Sequence, residues 1–424
     1  MMDFEKTVLD NGLRVIVAPQ KDNPAVTVLV LVSTGSKYET KEINGISHFL
    51  EHMCFKGTKK RPAAIEISSE LDSLGASYNA FTSQEWTGYY AKVDKNHFEK
   101  ALDVVSDIYL NQIFDTKEID KERGVIIEEL NMYEDLPMRR VAEYFMELLY
   151  GDQPAGWEIG GKKEVIRKLD RDDFIKYKKA HYVASATTVV IAGAIDKKLA
   201  LERVRDIFAG IAEDKKKDKM PIKESQTEPK LLFVKKETDQ THLILGVRAY
   251  DALDKRRHAL NVLANILGGG MSSRLFQIIR DELGAAYYVR AEADKFTDHG
   301  FLATVAGVDN AKMEVVVEAI LGQFRDLKKN LVNDKELQKA KDNMVGRLML
   351  GLETSDALAG YYGEQEILTG EPVNPDEVAK KIKNVKAEDI RAVAQDIFQN
   401  NKLNLAIIGP KANQEKLKSI LKID

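Results

Sequence analysis

Val26-Thr27-Val28-Leu29-Val30-Leu31-Val32 is an uncharged run of β-branched and apolar residues. Its counterpart in the far half of the chain is Thr241-His242-Leu243-Ile244-Leu245-Gly246-Val247. Each reads as a strand of alternating pattern. Working outward from them, three more segments recur in the same order. Leu71-Asp72-Ser73-Leu74-Gly75-Ala76-Ser77-Tyr78 returns as Arg280-Asp281-Glu282-Leu283-Gly284-Ala285-Ala286-Tyr287, and a β-rich stretch follows both copies. Lys117-Glu118-Ile119-Asp120-Lys121 returns as Lys335-Glu336-Leu337-Gln338-Lys339, each opening a long amphipathic helix. Thr187-Thr188-Val189-Val190-Ile191-Ala192-Gly193 returns as Leu403-Asn404-Leu405-Ala406-Ile407-Ile408-Gly409, a closing strand. Four matches in one order imply a duplicated unit.

The duplication divides the chain into residues 1–212 and 231–424. Between them, 213–230 is rich in Lys, Asp, Glu, Gln and Pro and reads as a solvated linker. Within each half, strand hairpins precede a helix, then more strands, then long helices and a final strand. Strands and helices do not alternate one for one, which argues against a doubly wound parallel sheet. The expected class is α+β: two homologous α/β-sandwich domains, each a largely antiparallel sheet with helices packed on one face.

The 424 residues, 44% of them hydrophobic and 31% charged, suit a soluble protein of two or three domains. A net charge of −4 leaves no electrostatic footprint for nucleic acid. No signal peptide is visible at the N-terminus, and no run of eighteen apolar residues provides a spanning helix. The single cysteine, Cys54, favours a reducing compartment, so a cytoplasmic location and no membrane association are expected. On a helix Cys54 would sit roughly 200° round from His52, which points to packing rather than metal ligation.

Gly45-Ile46-Ser47-His48-Phe49-Leu50-Glu51-His52-Met53 carries the chemistry. Ser47 is a candidate N-cap for a helix there. His48 and His52, four apart, would stack on one helical face within reach of one ion. Two imidazoles and a carboxylate make the open ligand set of a catalytic zinc, so one Zn2+ per chain is expected. Glu51 is placed to take a proton from the zinc-bound water without ligating. The order H-x-x-E-H inverts the commoner H-E-x-x-H and is itself a metallopeptidase signature. A third ligand is sought in Glu122-Arg123-Gly124-Val125-Ile126-Ile127-Glu128-Glu129-Leu130. Glu122 and Glu129 share a face two turns apart, with Glu128 roughly 100° away. That favours Glu129 as ligand with Glu122 supporting it, although each glutamate alone reads equally well as charge on a solvated helix. In the second copy these positions fall against Ala340 and Arg347, and the His48, Glu51 and His52 positions fall near Arg257, Leu260 and Asn261. The ligands therefore belong to one copy.

These residues resemble the M16 family of inverzincin metallopeptidases, especially its short processing-peptidase-like subfamily. The resemblance covers essentially the whole chain. It rests on His48 to Met53 with Phe55-Lys56-Gly57-Thr58, on Asn79-Ala80-Phe81-Thr82, and on Glu122 to Glu129 at the family's spacing from His52. By that resemblance Glu129 is preferred over Glu128 as third ligand. Leu267-Gly268-Gly269-Gly270-Met271-Ser272-Ser273-Arg274-Leu275 resembles the family's glycine-rich segment; without a Gly-Lys-Ser/Thr ending it is not a phosphate loop. The resemblance further implies that Tyr287 donates to the oxyanion and that Arg280 supports it or grips the peptide. It also implies that Asn79, Ala80 and Phe81 form an edge strand pairing with extended substrate. In relatives two such domains make half of a clam-shell chamber, which implies a homodimer, or a heterodimer with a related subunit, acting on short or unfolded peptides. A non-catalytic assembly or peptide-binding subunit is the alternative role.

Overall fold

The computed structural model describes residues 3–423. Its first sheet contains β1 (Glu5–Val8), β2 (Arg14–Pro19), β3 (Ala25–Val32), β4 (Ser77–Thr82), β5 (Thr87–Asp94) and β6 (Thr187–Gly193) in the order β1-β2-β6-β3-β5-β4. The second contains β7 (Lys230–Lys235), β8 (Gln240–Ala249), β9 (Ala286–Lys295), β10 (Gly300–Asp309) and β11 (Leu403–Gly409) in the order β7-β11-β8-β10-β9. Apart from β1, the two orders correspond strand for strand. Each sheet has one parallel pair, β2 with β6 and β7 with β11, and is otherwise antiparallel. The duplication read from β3 and β8 is thus a duplication of topology.

The expectation of helices on one sheet face is corrected by burial. Every residue from Val26 to Val32 is buried, as a strand covered on both sides requires. In the second sheet, alternate residues of β8 separate into two cores. Leu243, Leu245 and Val247 pack with Leu260, Leu263 and Phe324. Ile244 packs instead with Val141, Phe145 and Leu149 of the helix Pro137–Tyr150. Period-two geometry sends successive side chains to opposite faces, so each face needs its own cover.

The second cover comes from an exchange of segments. One compact unit comprises residues 1–131, 157–220 and 349–376; the other comprises 132–156, 221–348 and 377–424. The helix Pro137–Tyr150, from the first half of the sequence, therefore packs on the second sheet, where Phe145 meets Phe301 edge-on at 5.6 Å. The helix Ser355–Thr369, from the second half, packs on the first sheet: Ser355 Oγ lies 2.8 Å from Thr27 Oγ1, and the buried Glu366 pairs with Lys6 and Arg14. Gly363 allows the close approach, since a Cβ there would stand 2.5 Å from Leu31 Cδ1. Amphipathic period shows that a helix must cover something; it does not say which sheet.

Residues 213–229 contain no helix or strand. This segment is nevertheless anchored: Lys219 Nζ reaches the buried Glu85 at 2.5 Å, which also pairs with buried Lys37 at 2.8 Å. No helix among the described residues is long and apolar enough to cross a membrane.

One ion-pair cluster holds the loop that follows the histidine helix. Arg61, 3% exposed, donates to Asp107 at 2.7 Å, to Asp103 at 2.6 Å and to Glu70. Replacing it would leave Asp107 buried beside Thr58 and Asn111, which still donate to it. Arg61→Met is therefore expected to cost about 3 kcal/mol, the lower part of the range for breaking a buried pair. The measurement is a lower urea midpoint at unchanged slope. The Arg61 hydrogen bond, with Lys100 adding to it, draws the Glu70 carboxyl from its ordinary 4.5 down to about 2. Because the folded value lies below the unfolded one, this stabilisation is complete above pH 4.5 and is lost as pH falls towards 2. The variant should show a shallower acid dependence in that window.

Candidate metal centre

The helix carrying the two histidines spans Ile46–Met53 and starts from Gly45 in the left-handed region at φ +99°, not from Ser47. A Cβ on Gly45 would lie 2.6 Å from the Gly160 carbonyl oxygen, so the tight entry also needs glycine sterically. Ser47 is buried inside the first turn, its Oγ 2.7 Å from Tyr177 Oη. The capping function falls to Glu39. Its carboxylate accepts from Gly45 N at 2.7 Å, Ser47 N at 2.8 Å and Asn44 Nδ2 at 2.9 Å. Burial pushes this carboxyl up to about 7 against those donors.

Phe49, Leu50 and Met53 are buried and lock the helix rotation, turning His48 and His52 to one side. Their ring centroids are 4.7 Å apart. From the long helix Thr116–Glu134, Glu129 arrives opposite them. Its Oε2 lies 3.7 Å from His48 Nε2 and 3.6 Å from His52 Nε2. Glu122, on the same face of that helix, holds the far side of His52, its Oε1 2.8 Å from Nδ1, while its Oε2 takes Lys56 Nζ at 2.6 Å. Glu128 is exposed and accepts only a 3.3 Å bond from Asn131.

Ligand atoms of His48, His52 and Glu129 all lie within 4.8 Å of one another, and no second such cluster occurs among the described residues. A tetrahedral zinc with bonds of about 2.0–2.2 Å holds its ligand atoms about 3.4 Å apart, so the set fits such an ion. The Glu122–His52 bond supports that fit, because it fixes the tautomer that leaves Nε2 free to ligate. Before any metal is added, burial works against a charged His52, yet Glu122, Glu51 and Glu129 together raise its pKa.

Glu51 stands beside the cluster. Its Oε2 accepts from Thr82 Oγ1 at 2.6 Å, which ties the histidine helix to the end of β4. Burial raises the Glu51 carboxyl, opposed by Thr82 and His52 and reinforced by Glu129. Asn79, Ala80 and Phe81 lie on β4, at the edge of the first sheet: Ala80 is buried, and Phe81 is 37% exposed. In the second unit Arg280 lies in the π-helical segment Phe276–Glu282, and its Nη1 donates to the Tyr287 carbonyl at 2.8 Å. The Tyr287 side chain is 72% exposed on β9.

The roles of Lys56, Thr82 and Glu39 are not legible in the sequence. Thr82 is thirty-one positions from its partner Glu51. No periodicity connects them, and only the placement of β4 beside the helix does.

Two homologous sheet-and-helix units, one bearing a His-His-Glu cluster, define a metallopeptidase-like architecture. Comparison with known proteins agrees. Residues 14–163 match the Insulinase (Peptidase family M16) domain, and residues 168–344 match the Peptidase M16 inactive domain. A Bacillus subtilis protein named as an uncharacterised zinc protease, YmxG, is 36% identical over 410 residues, covering 97% of this chain and 99% of its own. An uncharacterised zinc protease of Streptomyces coelicolor is 32% identical, covering 97% of this chain and 90% of its own. The crystal structure of a Helicobacter pylori protease superposes with a TM-score of 0.91 at 24% identity, covering 96% of this chain and all of that one. The chain belongs to the M16 peptidase family. The match to an inactive domain begins in the last part of the first copy, runs into the second and includes none of the metal ligands.

Proposed function

We propose that the protein is a zinc metalloendopeptidase acting on short or unfolded peptides, with Glu51 as general base. The observation that carries this reading is the convergence of His48, His52 and Glu129 beside a carboxylate that Thr82 orients. Zinc held there would supply Lewis acidity and a water of lowered pKa. Glu51 takes the proton from the attacking water and returns it to the leaving amine. Glu122 keeps His52 in the ligating tautomer, and Lys56 keeps Glu122 in place. The edge strand β4 offers unpaired backbone groups for an extended peptide, and Asn79, Ala80 and Phe81 are assigned to that contact. Arg280 and Tyr287 are assigned to further contacts with the peptide. The working assembly is taken to be a processing-peptidase-like dimer enclosing its substrate, either a homodimer or a pair with a related chain.

The test measures bound zinc and cleavage of an unstructured peptide library, before and after chelation and on returning zinc. Cleavage that is lost and regained with zinc supports the reading. Zinc-loaded protein that binds peptides without cutting them supports a non-catalytic subunit instead.

Thr82 gives a finer test. A hydrogen bond to a charged group contributes about 1.5–3 kcal/mol. Thr82→Val is therefore expected to lower kcat about 10- to 100-fold with KM nearly unchanged, and Thr82→Ser should retain most activity. Equal kcat in all three proteins would show that Glu51 does not depend on this bond.

A further inference from the structure

Two arginines of this protein are neutralised several times over: Arg61 meets three carboxylates and Arg274 two. The four cations on the helix Arg171–His181, Arg171, Lys176, Lys178 and Lys179, meet none, and all but Lys176 line one cleft. Arg171 gives Nε to the Phe114 carbonyl at 3.0 Å and Nη2 to the Ile113 carbonyl at 3.4 Å. Lys178 Nζ donates to the Leu110 carbonyl at 2.7 Å and to the amide oxygen of Gln112. Lys179 has no hydrogen-bonding or ionic partner. The neighbouring Asp170 and Asp173 are engaged with backbone amides at the helix start. Negative charge at the end of the helix Phe98–Leu110 accounts for one of the cations, Lys178. It leaves Arg171 and Lys179 unbalanced.

The cleft that these three cations border measures 510 Å3, within the size range of small-molecule sites. Its apolar lining includes Leu110, Ile207 and Ile211, together with Ile175 from the same helix as the cations. The loop on its near side carries Phe114 at φ +49°, the one non-glycine residue with positive φ among those described. For a bulky side chain that conformation is strained. Here it presents two successive carbonyls to Arg171 and puts the Phe114 ring under Lys178 Nζ at 5.9 Å.

We infer that this cleft binds a small organic phosphate, its phosphoryl group held by Arg171, Lys178 and Lys179 and its apolar body against the isoleucines. A phosphate monoester carries about 1.5–2 negative charges, a better match to three cations than a carboxylate's single charge. Arg171 keeps its Nη1 hydrogens for a charge-assisted contact to the phosphoryl oxygens. Burial, opposed by Cys54 and reinforced by Lys59, pushes the Lys178 ammonium down to about 8.

Isothermal titration of the zinc-loaded full-length protein with hexyl phosphate, hexanoate and inorganic phosphate tests the inference. Hexyl phosphate should bind at least about tenfold tighter than either of the others, a difference of about 1.4 kcal/mol. Arg171→Gln and Lys179→Gln should each weaken it at least about tenfold, and in Lys179→Gln zinc content and urea midpoint should stay those of the parent. Lys179 makes no bond in the folded chain, so its variant separates binding from folding. No heat with hexyl phosphate at millimolar concentration would overturn the site. Affinity unchanged in the Lys179 variant would place the ligand elsewhere and overturn it too, and equal affinity for hexanoate would overturn the phosphate assignment.

Discussion

Glu51→Gln is expected to bind zinc within a few-fold of the parent and to cleave peptides between about 100- and 10,000-fold more slowly. The amide keeps the shape of the side chain, and its oxygen can still accept from Thr82 Oγ1, which lies 2.6 Å from the present carboxylate. It cannot hold a proton in transit. His48, His52 and Glu129 are untouched, so metal retention and activity should separate cleanly. The loss should fall on kcat rather than KM, because proton transfer belongs to the transition state and not to peptide binding. Comparable turnover by both proteins at equal zinc content would remove Glu51 as general base.

The second large effect concerns the third ligand. Glu129→Gln should weaken zinc binding by more than about 100-fold, because even an outer hydrogen-bonding partner of a ligand is worth about 10- to 100-fold. Glu122→Gln, which loosens the 2.8 Å contact to His52 Nδ1, should fall in that smaller range. Glu128→Gln should leave affinity unchanged, since Glu128 is exposed and meets only Asn131. Competition against a chelating dye reads all three. Loss of zinc in the Glu128 variant with retention in the Glu129 variant would reverse the assignment.

How much of this was legible beforehand depended on the range of each interaction. His48 and His52 were readable because helical spacing alone puts them on one face. Glu122 and Glu129 were readable as a pair for the same reason, while the choice of Glu129 over Glu128 leaned on family resemblance. The glycine at position 45 displaced Ser47 as the cap. A serine oxygen caps from outside the helix, whereas here the buried Glu39 already accepts from Gly45 N and Ser47 N. The one-sided covering of the sheets failed for a comparable reason. Apart from Thr27, β3 is apolar throughout, in keeping with its continuous burial, but the covering helix Ser355–Thr369 comes from the other half of the chain.

The sequence by itself determined the duplicated unit, its sheet strands, the helix bearing H-x-x-E-H and the asymmetry that leaves ligands in one copy. These are local patterns or comparisons of one segment with another. Tertiary structure alone decided that Glu129 meets both histidines, that Thr82 holds Glu51, that Lys56 steadies Glu122 and that each sheet borrows a helix from the other half of the chain. Those contacts join side chains far apart along the backbone. They exist only once buried faces such as Phe49, Leu50 and Met53 have fixed where each helix lies.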